Sequence, residues 1–329
     1  MSPAARPSED SLIARYFAPL AAQGGLGLKD DAACFTPTPG HDLVATADAL
    51  VERGHFLPED DPGSVARKAL AVNVSDLAAK GATPRGFLLS LALPGDWTEA
   101  WLSAFAEGLG EAAREFRCPL LGGDTVKASG ALTLSVTALG EVPSGRMVLR
   151  TAAKPGDVIC VTGSIGDAAL GLALRGAPDW ASDLTEQERA VLADRYLRPQ
   201  PRVAVAEALR DHARAAMDIS DGLAGDLAKM MRVSGVSAIV ETDRIPLSSA
   251  VRRAVGRDPA LLDLALTGGD DYEILCAVSP ERIDPFRAAA ADLGVDLTEI
   301  GAVTAGEGLP VFRSGQRETR YETGSFSHF

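Results

Sequence analysis

The sequence predicts an α/β (α+β) protein that is built of two domains. Apolar segments with strand-like and helix-like periodicity alternate along the chain, which is the pattern of folds that mix helices and sheets. The 329 residues exceed one typical domain and are enough for two separate hydrophobic cores. A basic, turn-rich segment from Pro143 to Gly156 interrupts the alternation, so we place the domains at 1–145 and 146–329.

The N-terminal half begins with an amphipathic helix at 9–22, followed by a glycine-rich turn that leads to Lys29, Asp30 and Asp31. Strands and helices then alternate: a strand at 42–48, a helix at 64–80, a strand at 86–93, a helix at 97–116 and a strand at 132–139. The C-terminal half continues with strands at 158–161, 216–220, 236–241 and 272–278, a final strand pair, and helices at 168–174, 202–214, from 223, and at 281–293. No fixed-period repeat is present, which excludes solenoids and propellers.

The composition excludes several classes of function. A net charge of −13 and an aromatic share of 5% disfavour nucleic-acid binding, which needs clustered cations and stacking platforms. We expect neither secretion nor membrane insertion and place the protein in the cytoplasm, because no leader pattern and no long apolar stretch is present. The four cysteines lie far apart without a Cys-x-x-Cys pair, so we expect buried thiols and neither a zinc site nor a disulfide framework.

Aspartates are concentrated at the ends of predicted elements and in glycine-rich turns. The set consists of Asp30, Asp31, Asp48, Asp76, Asp124, Asp218, Asp221, Asp270 and Asp271. Buried unpaired carboxylates are costly, and these have few cationic neighbours in sequence, so divalent cations are the natural counter-charge. Oxygen ligands together with substrate phosphates suit magnesium better than zinc. The alternative for any single aspartate is a helix cap or a turn.

Two motifs could bind phosphate as well as metal. Gly122-Gly123-Asp124-Thr125 is predicted as a turn whose glycines let backbone amides approach a phosphate, although a plain turn explains the segment equally well. Asp218-Ile219-Ser220-Asp221-Gly222-Leu223 reads as strand, turn and helix, which places carboxylates at free helix amides. A helix cap provided by Ser220 or Asp221 is the alternative.

Two further segments point to substrate contacts. The acidic pair Asp270-Asp271, at the entrance of the 272–278 strand, could bind a cationic or amine-bearing substrate, and His55 could contact a phosphate or be an ordinary residue at the surface or just behind the site. No P-loop, protein-kinase catalytic loop, Rossmann glycine motif, nucleophile elbow or His-Glu-x-x-His pair is present.

Ordered short segments that span nearly the whole chain carry a family resemblance. They are Ser11–Phe17, Asp30–Ala32, Ala47-Asp48, Gly54–Phe56, Lys68–Ala79, Gly122–Thr125, Lys154–Asp157, Val161–Gly163, Leu197–Pro199, Asp218–Leu223 and Gly268–Glu273. In these segments the chain resembles the thiamine-monophosphate kinases, a branch of the superfamily that includes aminoimidazole ribonucleotide synthetase and selenophosphate synthetase. The resemblance implies an N-terminal domain that pairs with its twin in a homodimer and binds metal and ATP, and a C-terminal α/β domain that completes the nucleotide and substrate site.

The resemblance also implies roles for individual residues. The magnesium ligands would be Asp30, Asp31, Thr46, Ala47, Asp48, Asp76, Asp124, Asp218 and Asp221. ATP would contact Gly123, Asp124, Arg150 and Ser220, with charge stabilisation by Arg150, Asp124 and Asp218. Substrate would contact His55, Asp270 and Phe326, whose ring could pack on a thiamine ring. This chain departs from the family pattern at Asp270, where the family commonly has Glu, and at Lys29, for which we expect a solvent-facing position.

The hypothesis that follows is direct, in-line transfer of the γ-phosphoryl group from ATP to thiamine monophosphate in thiamine diphosphate biosynthesis. No protein nucleophile is needed, because positioning and charge stabilisation dominate phosphoryl transfer. One alternative is another ATP-dependent enzyme of the superfamily that activates an amide or a selenide, although the N-terminal catalytic Cys or Sec of selenophosphate synthetases has no counterpart here. The other alternative is a non-catalytic nucleotide-binding partner protein.

Overall fold

The computed structural model describes residues 7–325. The chain forms two compact units. The first takes the residues up to Leu77 together with Pro84–Pro143, and the second takes Ala78–Thr83 and the residues from Ser144 onward. Within the described residues, no helix has the length and apolar character needed to cross a membrane.

The first unit begins with helical turns and continues as a mixture of strands and helices. The elements are a helix α1 (Glu9–Leu12), a π-helical turn (Ile13–Phe17), 3₁₀ turns (Ala18–Leu20 and Gln23–Leu28), β1 (His41–Val51), α2 (Pro62–Ala79), β2 (Thr83–Leu93), α3 (Glu99–Glu115), β3 (Leu120–Lys127) and β4 (Thr133–Pro143). The predicted helix at 9–22 is therefore wrong in type for most of its length, since only its first four residues are α-helical.

Among the described residues, these strands form a four-stranded sheet in the order β1-β4-β2-β3. β1 and β4 are antiparallel over eleven residue pairs, whereas β3 runs parallel to β2. Many side chains of the sheet are buried, including those of Phe87, Leu91 and Leu134. The alternation of strand side chains leaves other apolar residues exposed, among them Leu43, which is 52% exposed, and Val126, which is 49% exposed.

In the first unit, β3 is the strand that the sequence did not predict. Gly122, Gly123, Asp124 and Thr125 were expected to form a turn, but they pair with β2 in parallel register. A short run of two glycines and an aspartate carries low strand propensity, so local pattern favoured a turn. Pairing with β2 overrides that local preference.

The second unit contains the remaining strands and most of the helices. They are β5 (Val158–Thr162), α4 (Asp167–Ala173), α5 (Glu186–Leu197), α6 (Ala206–His212), β6 (Ala213–Asp218), α7 (Leu223–Ser234), β7 (Ser237–Glu241), α8 (Ser249–Arg257), α9 (Leu261–Thr267), β8 (Ile274–Val278), α10 (Ile283–Asp292), β9 (Leu297–Thr304), β10 (Val311–Ser314) and β11 (Arg317–Thr319). Within residues 7–325 the strands form a seven-stranded sheet in the order β11-β10-β7-β9-β5-β8-β6.

The second sheet is buried at its centre. All five residues of β8 are buried, and β8 pairs antiparallel with β5 on one side and β6 on the other. One core cluster packs α7 against this sheet through residues such as Leu227 and Met231, and a second packs α6 and α10 through residues such as Leu209 and Phe286. The ends of β6 and β8 are therefore held by core on both faces.

Sequence reasoning missed the helices α5, α8 and α9, and it predicted a final strand pair where the three strands β9, β10 and β11 follow α10. α5 carries a capping box in which Thr185 and Glu188 bond each other's backbone amides, and this Ser/Thr-x-x-Glu pattern was readable in the sequence. α8 and α9 have no comparable pattern: they are nine and seven residues long, too short for periodicity alone to distinguish them from loops.

The cysteine prediction is correct for three of the four residues. Cys118, Cys160 and Cys276 are buried free thiols, but Cys34 is exposed. Cys34 follows the Asp30-Asp31 pair in a segment without regular structure, so no element buries it. Cys160 and Cys276 are register partners on β5 and β8. The hydrogen bond between the two thiols raises the pKa of Cys276 well above its usual value, and burial raises it further.

The crossing of α2 and α3 depends on a glycine. A Cβ on Gly108 would overlap the backbone of Gly63 and lie 2.6 Å from the Gly63 carbonyl oxygen. We expect Gly108→Ala to destabilise the protein by about 1–3 kcal/mol, because backbone atoms cannot move aside as a side chain can. Denaturant unfolding measures the change.

The matched control is Gly110→Ala in the same helix. A Cβ there would approach side-chain ends, that of Leu20 at 2.8 Å and that of Arg114 at 3.4 Å, which can rotate away, and alanine gains helix propensity. Equal destabilisation by the two substitutions would contradict the close helix crossing.

Candidate active site

A cleft in the first unit gathers two of the acidic motifs. Asp30, Asp31 and Asp124 line a cavity of about 720 Å³, together with the rings of Phe17 and Phe35. The three aspartates are exposed, so water and ligands can reach their oxygens. The Asp31 amide donates to an Asp30 carboxylate oxygen at 2.8 Å, which orders the acidic pair locally. Lys29 is exposed, in agreement with its predicted solvent-facing position.

Gly123 is required where it lies because two strands approach closely. Its φ is 155°, and a Cβ would overlap the carbonyl oxygen of Leu89 on β2. The neighbouring Asp124 is in register with Ser90 and points away from that contact, since strand side chains alternate. The glycine therefore fixes the position from which the Asp124 carboxylate enters the cleft.

β1 and α2 bring a second group of predicted ligands together. The Thr46 hydroxyl donates a hydrogen bond to the Asp76 carboxylate, so the strand and the helix meet at this point. Asn73, which is completely buried, accepts from the Asp48 amide at 3.1 Å and donates to the Ala69 carbonyl at 3.1 Å. Thr46 and Asp48 share one face of β1, whereas the exposed Ala47 points to the other face and has only backbone atoms to offer.

In the second unit the two acidic turns at the ends of β6 and β8 are joined by backbone hydrogen bonds. The amides of Asp270 and Tyr272 donate to the carbonyls of Ser220 and Ile219, both at 2.8 Å, and the Ile219 amide donates to the Glu273 carbonyl at 2.9 Å. A Cβ on Gly269 would overlap the Ser220 carbonyl oxygen. The motifs that the sequence placed about fifty residues apart therefore form one structural unit.

Asp226 is the residue of this region that sequence reasoning missed. One of its carboxylate oxygens accepts the amides of Ser220 and Asp221, at 3.0 and 2.9 Å. Neither Ser220 nor Asp221 caps α7, as the alternative reading proposed; Gly222 occupies the cap position. This role could have been predicted from the sequence, because an aspartate in the first turn of a helix is placed to accept hydrogen bonds from backbone amides at the start of the helix.

Lys229 corrects the expectation that the acidic turns lack cationic neighbours. Its ammonium pairs with Asp221 and lies 2.9 Å from Asp226. Burial lowers the pKa of Lys229, but the bonds to Asp221 and Asp226 outweigh burial and leave the pKa raised. Burial raises the pKa of Asp226, and the Lys229 charge opposes that rise. Helix spacing of three residues brings Asp226 and Lys229 together on α7, and Asp221 reaches Lys229 from the turn that precedes the helix.

Asp270 adopts a backbone conformation that favours its residue type. Its φ is 65°, in the left-handed region where Asp and Asn are the most tolerated non-glycine residues. Its carboxylate accepts a hydrogen bond from the Tyr272 hydroxyl at 3.2 Å. The shorter side chain at this family position therefore matches the local geometry, and it leaves the carboxylate at the rim of the joined turns, part-exposed.

The remaining predicted site residues are His55, Arg150, Asp218 and Phe326. His55 accepts the Val51 amide through Nδ1 at 3.0 Å, so the histidine stabilises the turn that follows β1. Arg150 is exposed, and its backbone carbonyl accepts from the Ser234 hydroxyl at 3.1 Å, which anchors the chain just before β5. Asp218, at the end of β6, is only 6% exposed. Phe326 lies outside the described residues.

Asp271, which the sequence grouped with Asp270 as an acidic pair, is a buried carboxylate. One oxygen accepts the Gly166 amide at 2.9 Å, and the other, Oδ2, is buried without a hydrogen-bond partner among residues 7–325. Burial is the main reason that the pKa of Asp271 lies well above its usual value. The neighbouring carboxylates of Asp167, Glu273 and Asp270 raise it further.

The donor atoms fit magnesium, although the carboxylates do not form a preassembled cage. Within the part of the chain that the structure describes, no three His, Cys, Asp or Glu side chains stand close enough to hold a metal ion by themselves. The available groups are carboxylate and hydroxyl oxygens, which are the ligands magnesium prefers. Magnesium is usually held by one or two carboxylates together with waters and substrate phosphates, and this arrangement matches dispersed aspartates.

Comparisons with known proteins identify the family. Residues 29–142 match the model of the AIR synthase related protein N-terminal domain, and residues 154–313 match that of the C-terminal domain. The chain is 43% identical to a thiamine-monophosphate kinase of Caulobacter vibrioides over 321 residues, 96% of this chain and 90% of that protein. The chain belongs to the thiamine-monophosphate kinase family. A thiamine-monophosphate kinase of Escherichia coli is 41% identical over 98% of both chains.

Solved structures of the family have the same fold. The thiamine-monophosphate kinase of Stenotrophomonas maltophilia is 42% identical, with a TM-score of 0.78 over 85% of this chain and 88% of that one. AaThiL, solved in complex with AMPPCP and TMP, is 33% identical with a TM-score of 0.77 over 91% of both chains. The hydrogenase maturation protein HypE, at 22% identity and a TM-score of 0.77, shares the fold. The two-domain α/β prediction is confirmed.

The buried Asp271 carboxylate predicts a pH effect on stability. Because its folded pKa is raised above the unfolded value of about 3.9, the proton stabilises the fold at low pH, and this stabilisation is lost as the pH rises through the folded pKa. Asparagine keeps an oxygen for the Gly166 amide and cannot ionise. We expect Asp271→Asn to gain about 1–3 kcal/mol in unfolding free energy relative to the parent as the pH rises from about 4 through the folded pKa.

Denaturant unfolding at several pH values measures this difference. Asp284→Asn, in an exposed position on α10, is the control and should follow the parent curve at all pH values. Parallel curves for the parent and Asp271→Asn would show that Asp271 does not titrate in this way.

Proposed function

We propose that this protein transfers the γ-phosphoryl group of ATP to thiamine monophosphate, which yields thiamine diphosphate and ADP. The observation that carries the proposal is the full-length similarity to thiamine-monophosphate kinases at up to 43% identity. The AaThiL complex supports the choice of substrates, because its AMPPCP and TMP are an ATP analogue and the phosphate acceptor. The oxygen donors of the acidic motifs suit the metal ions that accompany such phosphates.

The reaction needs little covalent chemistry from the protein. An oxygen of the thiamine monophosphate phosphate forms a bond to the γ-phosphorus while the bond between that phosphorus and the bridging oxygen to ADP breaks. The acceptor phosphate is ionised at neutral pH, so the residues are required to position and stabilise charge and not to remove a proton. This agrees with a site of carboxylates and an arginine in which no activated Ser, Cys or Lys nucleophile is assigned.

The proposed magnesium ligands are the acidic motifs in both units. They are Asp30, Asp31, Thr46, Ala47, Asp48, Asp76, Asp124, Asp218 and Asp221, with Ala47 limited to its backbone oxygen. Magnesium, when bound, would neutralise charge on the phosphates of both substrates. Strand and helix positions hold Thr46, Asp76 and Asp124, so these donors keep their places before ligands arrive.

The proposed nucleotide contacts are Gly123, Asp124, Arg150 and Ser220. An exposed guanidinium such as that of Arg150 can bind phosphate oxygens with two parallel hydrogen bonds, and with Asp124 and Asp218 it would stabilise the charge of the transferring group. His55, Asp270 and Phe326 are the proposed substrate contacts. Asp270 is suited to an amine because its carboxylate is part-exposed in the turn that precedes β8.

We also propose that the protein acts as a cytoplasmic homodimer in thiamine biosynthesis. Residues 1–145 would provide the dimer contact and part of the metal and ATP site, and residues 146–329 would complete the nucleotide and substrate site. The exposed Leu43, Leu88 and Val126 of the first sheet support an interface there, since large apolar side chains at strand positions gain from being covered. Sedimentation of the purified chain tests the stoichiometry.

Removal of single carboxylates tests the metal assignment. We expect Asp124→Asn and Asp218→Asn to lower kcat for thiamine diphosphate formation by at least about 100-fold and to raise the magnesium concentration needed for half-maximal rate. The rate is followed across a magnesium titration, with Asp284→Asn as a folded, exposed aspartate control. Turnover at the parent rate in both variants would reject their assigned role.

A phosphoryl-acceptor screen tests the reaction itself. ADP release is compared for thiamine monophosphate, thiamine and aminoimidazole precursors, and only thiamine monophosphate is expected to respond. EDTA should abolish the activity and magnesium should restore it, because oxygen ligands favour hard cations. A response to an aminoimidazole precursor would instead favour a synthetase-like activation, and nucleotide binding without ADP release would favour a non-catalytic partner protein.

A further inference from the structure

Lys229 forms a branched ion pair beside one of the proposed metal ligands. It lies on the second turn of α7, and its ammonium bonds both the Asp221 carboxylate and Asp226 Oδ1, the latter at 2.9 Å. The two carboxylates differ in surroundings: the Asp226 side chain is completely buried, whereas the Asp221 side chain is 38% exposed. The Lys229 ammonium therefore pairs with one buried carboxylate and one that solvent can reach.

Asp226 is held by fixed partners on both oxygens. Oδ2 accepts the Ser220 and Asp221 amides, and Oδ1 accepts the Lys229 ammonium. A buried carboxylate in this position has no route to a solvated ion, because it would have to give up these bonds. Asp226 thus positions the turn at Ser220 and Asp221, and it keeps its ion pair with Lys229 when other groups exchange.

Asp221 is held more loosely. Its side chain bonds Lys229 through Oδ2 alone among residues 7–325, and both members of the pair are about one-third exposed. Partly exposed ion pairs contribute only a few-fold to an equilibrium, so a doubly charged cation can displace the ammonium from Asp221. After displacement Lys229 still has Asp226 as its counter-charge and does not become an isolated cation.

We propose that Lys229 is an exchangeable counter-ion for Asp221, which it neutralises in the metal-free chain and releases to a divalent cation while Asp226 retains it. This rests on the proposed function, since it takes Asp221 as a metal ligand. Lys229 neutralises the Asp221 carboxylate when no metal is bound. Because the ammonium competes with the metal, binding at Asp221 is weaker than the carboxylate alone would give. Weaker binding favours release of the metal with the nucleotide product.

Manganese binding tests the proposal directly. Free Mn²⁺ is measured by electron paramagnetic resonance with the purified full chain and AMPPCP, so the readout does not depend on turnover. Lys229→Gln removes the charge but can still donate to Asp226. The double variant Asp226→Asn with Lys229→Met removes both charges and keeps an oxygen for the Ser220 and Asp221 amides, which protects the fold.

We expect both variants to bind Mn²⁺ about two- to fivefold more tightly than the parent, which is the range that release of a partly exposed ion pair supports. The gain should disappear when Asp221→Asn is added, because Lys229 then has nothing to compete for. Unchanged or weaker binding in both variants would overturn the proposal and would assign Lys229 a purely structural or orienting role. Circular dichroism confirms that each variant is folded.

The single variant Asp221→Asn separates this proposal from the proposed function. If it weakens Mn²⁺ binding while the Lys229 variants do not strengthen it, the counter-ion exchange is wrong and the metal site stands. If Asp221→Asn leaves both Mn²⁺ binding and thiamine diphosphate formation unchanged, Asp221 is not a metal ligand. That result overturns the metal assignment and the exchange together.

Discussion

Mutual repulsion of carboxylates is the constraint on which the rest of this structure depends. In the second unit, burial and the neighbouring carboxylates of Asp167, Glu273 and Asp270 raise the pKa of Asp271 well above its usual value, so the charges of these carboxylates oppose the fold. Backbone hydrogen bonds hold these acidic segments in place in the second unit. Hydrogen bonds between Ile219, Ser220, Asp270, Tyr272 and Glu273 join the two acidic turns, and the ends of β6 and β8 anchor them in the core. Contacts between backbone atoms therefore hold the two turns together.

The first unit meets the same constraint with regular structure. Asp124 lies on β3, Asp48 on β1 and Asp76 on α2, so each is held by an element with its own hydrogen-bond ladder. Buried polar groups complete the arrangement, since Asn73 ties the Asp48 amide to α2 and Gly123 permits close approach of β3 to β2. Exposed oxygens on rigid elements can receive a hydrated cation with little reorganisation.

The sequence was sufficient for the fold class and for the acidic motifs, because both depend on local pattern. It could not show that Gly123 and Asp124 belong to a strand, since pairing with β2 is a long-range contact that overrides local turn preference. The role of Asp226 also escaped, because one carboxylate accepting two amides is visible only when the turn is folded. The left-handed conformation of Asp270 gives a local reason for Asp at a position where the family commonly has Glu.

Crystals grown with AMPPCP, thiamine monophosphate and Mn²⁺ in place of magnesium would locate the metal ions through the anomalous scattering of manganese. We expect anomalous peaks within about 2.0–2.3 Å of carboxylate oxygens from the proposed set, including Asp124 and Asp218, with phosphate oxygens completing the coordination. Manganese bound to the phosphates and water alone, with these aspartates directed elsewhere, would contradict this expectation.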